Sequence, residues 1–211
     1  MGKTKPKTQS LKRLPSSLFY TEGDFSSVRE LHPQVIVIDN FYSKRYAKEL
    51  VTAFNSLPLE TTPLKKSKNY AARVNDRLSV EDKDASTNLW NHLKRTLQLH
   101  RLDQFDGAKC LSSNIRVYRY TKGQYFDKHV DESQWTDGGR THWTVLIYLT
   151  GPNEGLRGGE TVFYDEDEVL SVEPRTGSVC LHRHGGGDCL EHEAMEVLEG
   201  EKWVLRSDIV F

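Results

Sequence analysis

Residues Tyr120–Arg140 read YTKGQYFDKHVDESQWTDGGR, and the HVD at their centre decides how the rest of the chain is interpreted. His129 and Asp131 have one residue between them. In an extended segment, side chains two positions apart point to the same face, so an imidazole and a carboxylate would project side by side. A metal held there needs a third ligand, and His192 is available far downstream. We predict that His129 and Asp131 are metal ligands of a catalytic centre, with His192 as the leading candidate for the third ligand and His182 and His184 as the alternatives.

Two histidines and one carboxylate on one face of a metal leave its other positions open, as in non-haem Fe(II) oxygenases. An HxD pair alone is weak evidence, because such pairs occur by chance in most proteins. Lys202, ten residues after His192, strengthens it. A 2-oxo acid that chelates the metal has a far carboxylate, which a cation on a neighbouring strand would bind. His182 and His184 have no cation at that spacing, and we predict that they lie beside the ligands or at the surface.

The half of the chain from about Asn114 to Phe211 contains a series of further motifs. In chain order they are RYTKGQYFDKHVD, TVLIYL, RGGETVFY, PRTGSVCLH and, after His192, EGEKWVLRSDIVF. They resemble the catalytic domain of Fe(II)/2-oxoglutarate dioxygenases, most of all the prolyl 4-hydroxylase group. The resemblance implies a double-stranded β-helix, or jelly roll, whose mouth holds the metal. It also implies Fe(II), 2-oxoglutarate as co-substrate and O2, with ascorbate as a candidate further cofactor.

The resemblance also assigns residues to the co-substrate pocket. Lys202 matches the residue that binds the distal carboxylate of 2-oxoglutarate. Tyr148 and Tyr120 match tyrosines that line the pocket, although ordinary core tyrosines are the alternative for both. Thr161 is a candidate for the pocket wall. Arg206 lies on the same strand face as Lys202. It is either a second pocket cation or the partner of a neighbouring aspartate, Asp208, and we slightly favour the pairing.

A long polar stretch, LETTPLKKSKNYAARVNDRL, precedes the second predicted helix. Loops of this length are often lids or substrate loops, and the resemblance places a mobile loop here. Arg73, Asn75 and Arg77 alternate within it, so they could share one face and reach toward a substrate. A solvated strand edge is an equally supported alternative. We therefore treat these three residues as candidate substrate-binding residues.

The fold class that we predict is α+β, mainly β. A β-branched run, Val35–Ile38, predicts a buried strand, and helical apolar spacing follows a capping residue, Ser43. A second helix is predicted over Lys83–Leu99. After Cys110 the segments are short and β-rich, which indicates an antiparallel sandwich or barrel with the N-terminal helices packed on it. We predict a single domain over residues 21–211, with a catalytic core over about 114–211 and a basic, disordered tail over 1–20.

Composition sets limits on partners and compartment. The 211 residues carry a formal net charge of −1, with 36% hydrophobic and 28% charged residues. This favours a globular protein without a global attraction to nucleic acid or membrane. No apolar run is long enough to span a bilayer, the N-terminus lacks the apolar segment of a secretory signal, and the three cysteines suit reduced thiols. We expect a cytoplasmic or nuclear protein.

We predict an enzyme that hydroxylates a C–H bond with release of succinate and CO2, acting on a prolyl residue or another side chain of a protein. Asp131 favours hydroxylation, because related halogenases lack this carboxylate. A 2-oxoglutarate oxygenase of a small molecule or a nucleic-acid base is the alternative within the class; the basic tail keeps nucleic acid open and the net charge disfavours it. Two alternatives lie outside the class. A non-catalytic jelly-roll binding module would not need all of the three predicted ligands and Lys202. A zinc hydrolase with the same ligands would not explain Lys202.

Overall fold

The structure is a computed structural model. It describes Leu14 and residues 25–62, 71–166, 168–187 and 189–211. Except for Leu14, the predicted basic tail lies outside the described residues, as does part of the predicted substrate loop, residues 63–70. Among the described residues, none of the helices has the length and apolar character needed to cross a membrane.

The described part of the chain contains two α-helices and a larger number of strands. The helices are α1 (Lys44–Phe54) and α2 (Lys83–Leu99). The strands are β1 (Ser27–His32), β2 (Val35–Asp39), β3 (Glu60–Thr61), β4 (Arg73–Val74), β5 (Asp76–Glu81), β6 (Cys110–Leu111), β7 (Asn114–Tyr120), β8 (Tyr125–His129), β9 (Trp135–Thr136), β10 (Gly139–Tyr148), β11 (Arg157–Gly158), β12 (Thr161–Tyr164), β13 (Val169–Val172), β14 (Val179–Arg183), β15 (Glu191–Ala194), β16 (Val197–Glu199) and β17 (Lys202–Val210).

Both predicted helices are confirmed, and each begins at a capping side chain. Ser43 accepts a hydrogen bond from the Tyr46 amide at 3.1 Å, and Asp82 accepts one from the Ala85 amide at 3.0 Å. These bonds satisfy amides that have no partner within the first helical turn. The apolar residues of both helices recur at helical spacing, and their buried faces pack against the sheet.

The strands form two facing antiparallel sheets, which confirms the predicted jelly roll. The large sheet has ten strands among the described residues, in the order β1-β2-β14-β10-β17-β7-β5-β3, with β6 beside β17 and β9 beside β10. The small sheet has five, in the order β13-β12-β15-β8-β4, and β11 pairs separately with β16. The crossovers between distant strands, such as β14 beside β2, bring the two halves of the chain into one sheet.

The first half of the chain contributes more than the predicted helices. The polar stretch predicted as a loop contains β3, β4 and β5, and β5 pairs along its whole length with β7. Two residues of β5 are buried, Asp76 and Val80, and the first of them is charged, so this strand lacks an apolar pattern. Polar residues are common on strands near a sheet edge, and their β propensity depends on the strands beside them.

The side chains of the central strands alternate between two hydrophobic cores. On β2, Ile36 and Ile38 pack with the helices, whereas Val35 and Val37 pack between the sheets. Strand β17 follows the same rule, with Leu205 in the helix-facing core. Side chains two apart share a face, so the other set on each central strand points between the sheets. Every predicted site residue on the large sheet belongs to this inner set.

Candidate metal centre and substrate cleft

The two sheets bring His129, Asp131 and His192 together. His129 ends β8, and His192 lies directly opposite it on the neighbouring strand β15. Asp131 follows β8 by two residues, and one ligand atom from each residue lies within 4.8 Å of the others. The Nε2 atoms of His129 and His192 are each 3.8 Å from an Asp131 carboxylate oxygen. The fold thus brings His192 to the His129–Asp131 pair, which lies more than 60 residues earlier in the chain.

This donor set fits a divalent metal ion. Metal bonds of about 2.1 Å hold adjacent ligand atoms roughly 3 Å apart, so the groups need to close by about 1 to 2 Å. The Nδ1 atom of His129 is 2.8 Å from the Asp127 carbonyl oxygen, an arrangement that leaves Nε2 for the metal. Burial, with His192 adding to it, lowers the pKa of His129 to about 4. The imidazole is therefore neutral at pH 7, as metal binding requires.

Asp131 is held by the large sheet as well. Its Oδ2 atom lies 2.9 Å from an Arg206 nitrogen and accepts a hydrogen bond from Thr144 at 2.9 Å. Burial alone would raise the pKa of Asp131, but Arg206 and the neighbouring histidines outweigh it and hold the pKa well below its usual range. Arg206 also lies 3.3 Å from Asp208, so it forms the slightly favoured pairing and borders the pocket at the same time.

His182 and His184 are buried beside this centre. The Nε2 atom of His182 lies 3.7 Å from Asp131 Oδ2, and it is buried without a hydrogen-bond partner among the described residues. His184 instead bonds Thr144 and Thr141 through its two ring nitrogens, at 2.8 and 2.9 Å. A surface position is thus wrong for both, because β14 continues inward between β2 and β10. His182 offers an unused polar atom to the pocket.

The predicted co-substrate residues line one pocket that reaches the three predicted ligand residues. Lys202 is 2% exposed, and its Nζ lies 5.5 Å from the ring centres of both Tyr120 and Tyr148. The Tyr148 hydroxyl lies 2.8 Å from the Thr161 hydroxyl. Burial lowers the pKa of Lys202 to about 8. Since no carboxylate of the described residues forms an ion pair with Lys202, the pocket has an unneutralised cation that suits an anionic ligand.

A second, larger cavity opens from the same centre. It is a cleft of about 890 Å³ that begins at Asp131 and Arg206 and runs outward past Arg73 and Arg77. Asn75 does not share this face, because the chain crosses there from the small sheet to the large one. It is fully buried, and its Oδ1 accepts a hydrogen bond from Arg73 Nε at 3.0 Å. Asn75 therefore supports Arg73 from behind.

Sequence reasoning did not identify Tyr118 and Arg116 as site residues. Tyr118 borders both the co-substrate pocket and the cleft, and Arg116 lines the cleft. A signal was present, because Arg116 and Tyr118 alternate with the predicted pocket residue Tyr120 on one strand and so share its face. The adjacent residues Ile115 and Val117 pack toward the helices.

Comparisons with known proteins agree with this geometry. Residues 115–207 match the model of the 2OG-Fe(II) oxygenase superfamily. The chain is 24% identical over 210 residues to a probable prolyl 4-hydroxylase of Arabidopsis thaliana, which covers 86% of this chain and 71% of that protein.

Solved structures of prolyl hydroxylases have a similar fold. A viral collagen prolyl hydroxylase of Paramecium bursaria Chlorella virus-1, in complex with 2-oxoglutarate, superposes with a TM-score of 0.59 at 18% identity and covers 83% of this chain and 95% of that one. A Trichoplax adhaerens prolyl hydroxylase bound to a hypoxia-inducible-factor peptide superposes with a TM-score of 0.59 at 15% identity, covering 84% and 83%.

Proposed function

We propose that the chain is an Fe(II)- and 2-oxoglutarate-dependent oxygenase similar to prolyl 4-hydroxylases, and that it hydroxylates a prolyl residue, or another side chain, of a protein. The long open cleft beside the ligand residues is the observation that carries this proposal. The cleft is open to solvent and its lining runs from Asp131 and Arg206 to Trp135, so its shape suits a stretch of polypeptide, whereas its volume alone lies in the range of small-molecule sites. The Trichoplax adhaerens relative was solved with a peptide, which supports the same substrate class.

In this proposal, His129, Asp131 and His192 hold Fe(II), and their neutral imidazoles and ionised carboxylate match its preferences. Bound together, Fe(II), 2-oxoglutarate and O2 supply the oxidising chemistry, in which 2-oxoglutarate becomes succinate and CO2 and a substrate C–H bond gains an oxygen atom. Arg206 and Thr144 fix the orientation of the Asp131 carboxylate. The protein thus positions the ligands before the co-substrates arrive.

Lys202 is the proposed partner of the distal carboxylate of 2-oxoglutarate. Tyr148 and Thr161 would orient the same carboxylate through their hydroxyl groups, and Tyr120 would form the pocket wall. These side chains are buried, so water is excluded from the ion pair that Lys202 would form. An ion pair in such a site is stronger than one at the surface.

The test of this function uses peptides with a central proline or another candidate residue, incubated with the protein, Fe(II), 2-oxoglutarate and air. We expect a gain of one oxygen atom on at least one peptide, matched by succinate release, and mass spectrometry with succinate quantification would detect both. Hydroxylation of free nucleobases or small metabolites, with no peptide modified, would contradict the protein substrate and leave the oxygenase class intact.

The contact between Arg206 and Asp131 gives a separate prediction. Replacing Arg206 with glutamine should weaken Fe(II) binding by about 10- to 100-fold, a range typical for residues that orient metal ligands. Arg119→Gln is the matched control, because it breaks an arginine–aspartate pair at 2.7 Å to Asp76, outside the metal centre. Anaerobic Fe(II) titration measures both variants. Equal Fe(II) affinity in Arg206→Gln and Arg119→Gln would show that Arg206 does not position Asp131.

Domain extent and compartment are further proposals. We propose one domain over residues 21–211, because β2 and β5 from the first half lie in the same sheet as β10 and β17. Two separate calorimetric unfolding transitions would contradict it.

We propose a reducing compartment, the cytoplasm or the nucleus, because Cys110, Cys180 and Cys189 are free. Localisation of the tagged protein to the secretory pathway would contradict that assignment.

A further inference from the structure

The inner end of the cleft is lined by guanidinium groups. Four arginines line it. Arg73 comes from β4 of the small sheet, and the large sheet contributes Arg77 from β5, Arg116 from β7 and Arg206 from β17. Among the described residues that line the cleft, Asp131 and Asp208 are the carboxylates that form ion pairs with these arginines. In the proposed enzyme, Fe(II) would take up the charge of one of them, Asp131. The inner end therefore has an excess of positive charge.

The four arginines differ in their partners. Arg116 lies 3.1 Å from Asp208, and Arg206 lies between Asp208 and Asp131, so these two are neutralised by the protein. Arg73 and Arg77 form no ion pair with a carboxylate of the described residues. The Nη2 atom of Arg73 is also buried without a hydrogen-bond partner there. A buried charged group without a partner is costly, which is the usual sign of a site for a ligand of opposite charge.

Aromatic rings hold the two unpaired arginines over the cleft. The Cζ atom of Arg73 lies 4.4 Å from the ring centre of Tyr118 and 4.7 Å from that of Phe126. Arg77 approaches the same Tyr118 ring, at 6.0 Å. Burial lowers the pKa of Arg77, and the charges of Arg73 and Arg116 lower it further against the opposing effect of Tyr118. The rings fix the guanidinium planes without neutralising their charge.

The position of this pair relative to the metal centre limits what it can bind. Tyr118, which lies between the two arginines, also borders the pocket that holds the ligand residues. An anion bound to Arg73 and Arg77 would therefore lie on the side of the cleft that borders the predicted metal centre. The remaining charged residues of the cleft lining are mostly acidic and are Glu81, Glu132, Asp137 and Lys83.

Resting on the proposed function, we propose that the substrate is an acidic peptide, in which the carboxylate of an Asp or Glu beside the hydroxylated residue binds to Arg73 and Arg77. Guanidinium groups bind carboxylates through paired hydrogen bonds, which fixes both position and orientation. Trp135, 80% exposed at the outer rim of the cleft, offers an apolar face to the peptide further along. Exposed aromatic side chains of this kind often anchor a bound partner.

Peptide binding to the protein loaded anaerobically with Fe(II) and 2-oxoglutarate tests this proposal without turnover. The probes are short labelled peptides with a central proline and Glu, Gln, Lys or phosphoserine beside it, and unlabelled free glutamate as a competitor. We expect the Glu peptide to bind at least about tenfold more tightly than the Gln peptide, or about 1.4 kcal/mol. Arg77→Gln and Arg73→Gln should each remove most of that difference.

Charge reversal and a matched control make the test specific. In Arg77→Glu, the preference should shift toward the Lys peptide, which loss of folding would not produce. Arg157→Gln should bind the Glu peptide as wild type does, because Arg157 is exposed on β11 and outside the cleft. The proposal would be overturned by equal binding of the Glu and Gln peptides or by no binding of the Glu peptide. Stronger binding of free glutamate or of the phosphoserine peptide would also overturn it.

Failure of this inference and failure of the proposed function give different results. Uncoupled turnover of 2-oxoglutarate to succinate, measured without peptide, reports on the oxygenase chemistry alone. If turnover is present and the Glu peptide has no advantage, the acidic substrate is wrong and the enzyme class stands. If the Glu peptide binds through Arg77 but no peptide is hydroxylated, the cleft assignment stands and the hydroxylase function is wrong.

Discussion

Replacing His192 with alanine is expected to abolish 2-oxoglutarate turnover and to weaken Fe(II) binding by more than about 100-fold, beyond the loss typical for residues that merely orient ligands. His192 lies opposite His129 on the neighbouring strand, and its Nε2 atom points to Asp131. Without it, the centre keeps one imidazole and one carboxylate, which cannot cap one face of the metal. Metal affinity by anaerobic titration and succinate formation would measure the effect.

The matched control for this prediction is His142→Ala. His142 is exposed where β10 bulges between Thr141 and Trp143, and it lines neither the pocket nor the cleft. This variant should retain the Fe(II) affinity and turnover of the wild type. Thermal unfolding of both variants would exclude a general loss of structure. Near wild-type turnover in a folded His192→Ala protein would show that the metal is held elsewhere.

Replacing Lys202 with methionine is expected to raise the KM for 2-oxoglutarate by about 100-fold or more, because removing one partner of a buried ion pair costs about 3–5 kcal/mol. The free protein should not lose stability, because methionine fills similar space and removes a charge that burial disfavours. Lys202→Arg should retain part of the affinity. Succinate formation at varied 2-oxoglutarate gives KM, and Lys122→Met, at an exposed turn residue, is the control.

The same residue gives a pH dependence with a defined sign. Burial lowers the pKa of Lys202 to about 8, so the ammonium is fully charged only below that pH. The affinity for 2-oxoglutarate should therefore fall as the pH rises through about 8, and binding should be accompanied by proton uptake there. Calorimetry in buffers of different ionisation enthalpy would measure this uptake. An equal pH dependence in wild type and Lys202→Met would exclude Lys202 as its source.

The elements with strong local patterns were predictable from the sequence. Helix α2 matches its predicted bounds, Lys83–Leu99, because its cap and its apolar spacing are both local. The ordered motifs after Asn114 predicted the jelly roll, which is confirmed, and they predicted the enzyme class whose family model matches residues 115–207. The residues proposed to bind the metal were found because the HxD pair and the spacing from His192 to Lys202 are visible in one dimension. Their roles remain a proposal.

The remaining features depend on strand pairing, which local patterns do not contain. Strand β5 has a polar sequence, and its pairing with β7 makes it a strand. The prediction that Asn75 could share a face with Arg73 and Arg77 was wrong, because the chain crosses from one sheet to the other at Asn75. Arg206 could be assigned to Asp208 by proximity in sequence, whereas its contact with Asp131 requires the folded sheets.

The most direct test of the proposed centre is an anaerobic titration of the metal-free protein with Fe(II) and 2-oxoglutarate, followed through the visible metal-to-ligand charge-transfer band. The wild type should develop the band at low 2-oxoglutarate concentration. The band should be absent from His192→Ala and should require far more 2-oxoglutarate in Lys202→Met. A folded, iron-loaded wild type without any band, or a band unchanged in both variants, would contradict the placement of Fe(II) and 2-oxoglutarate at these residues.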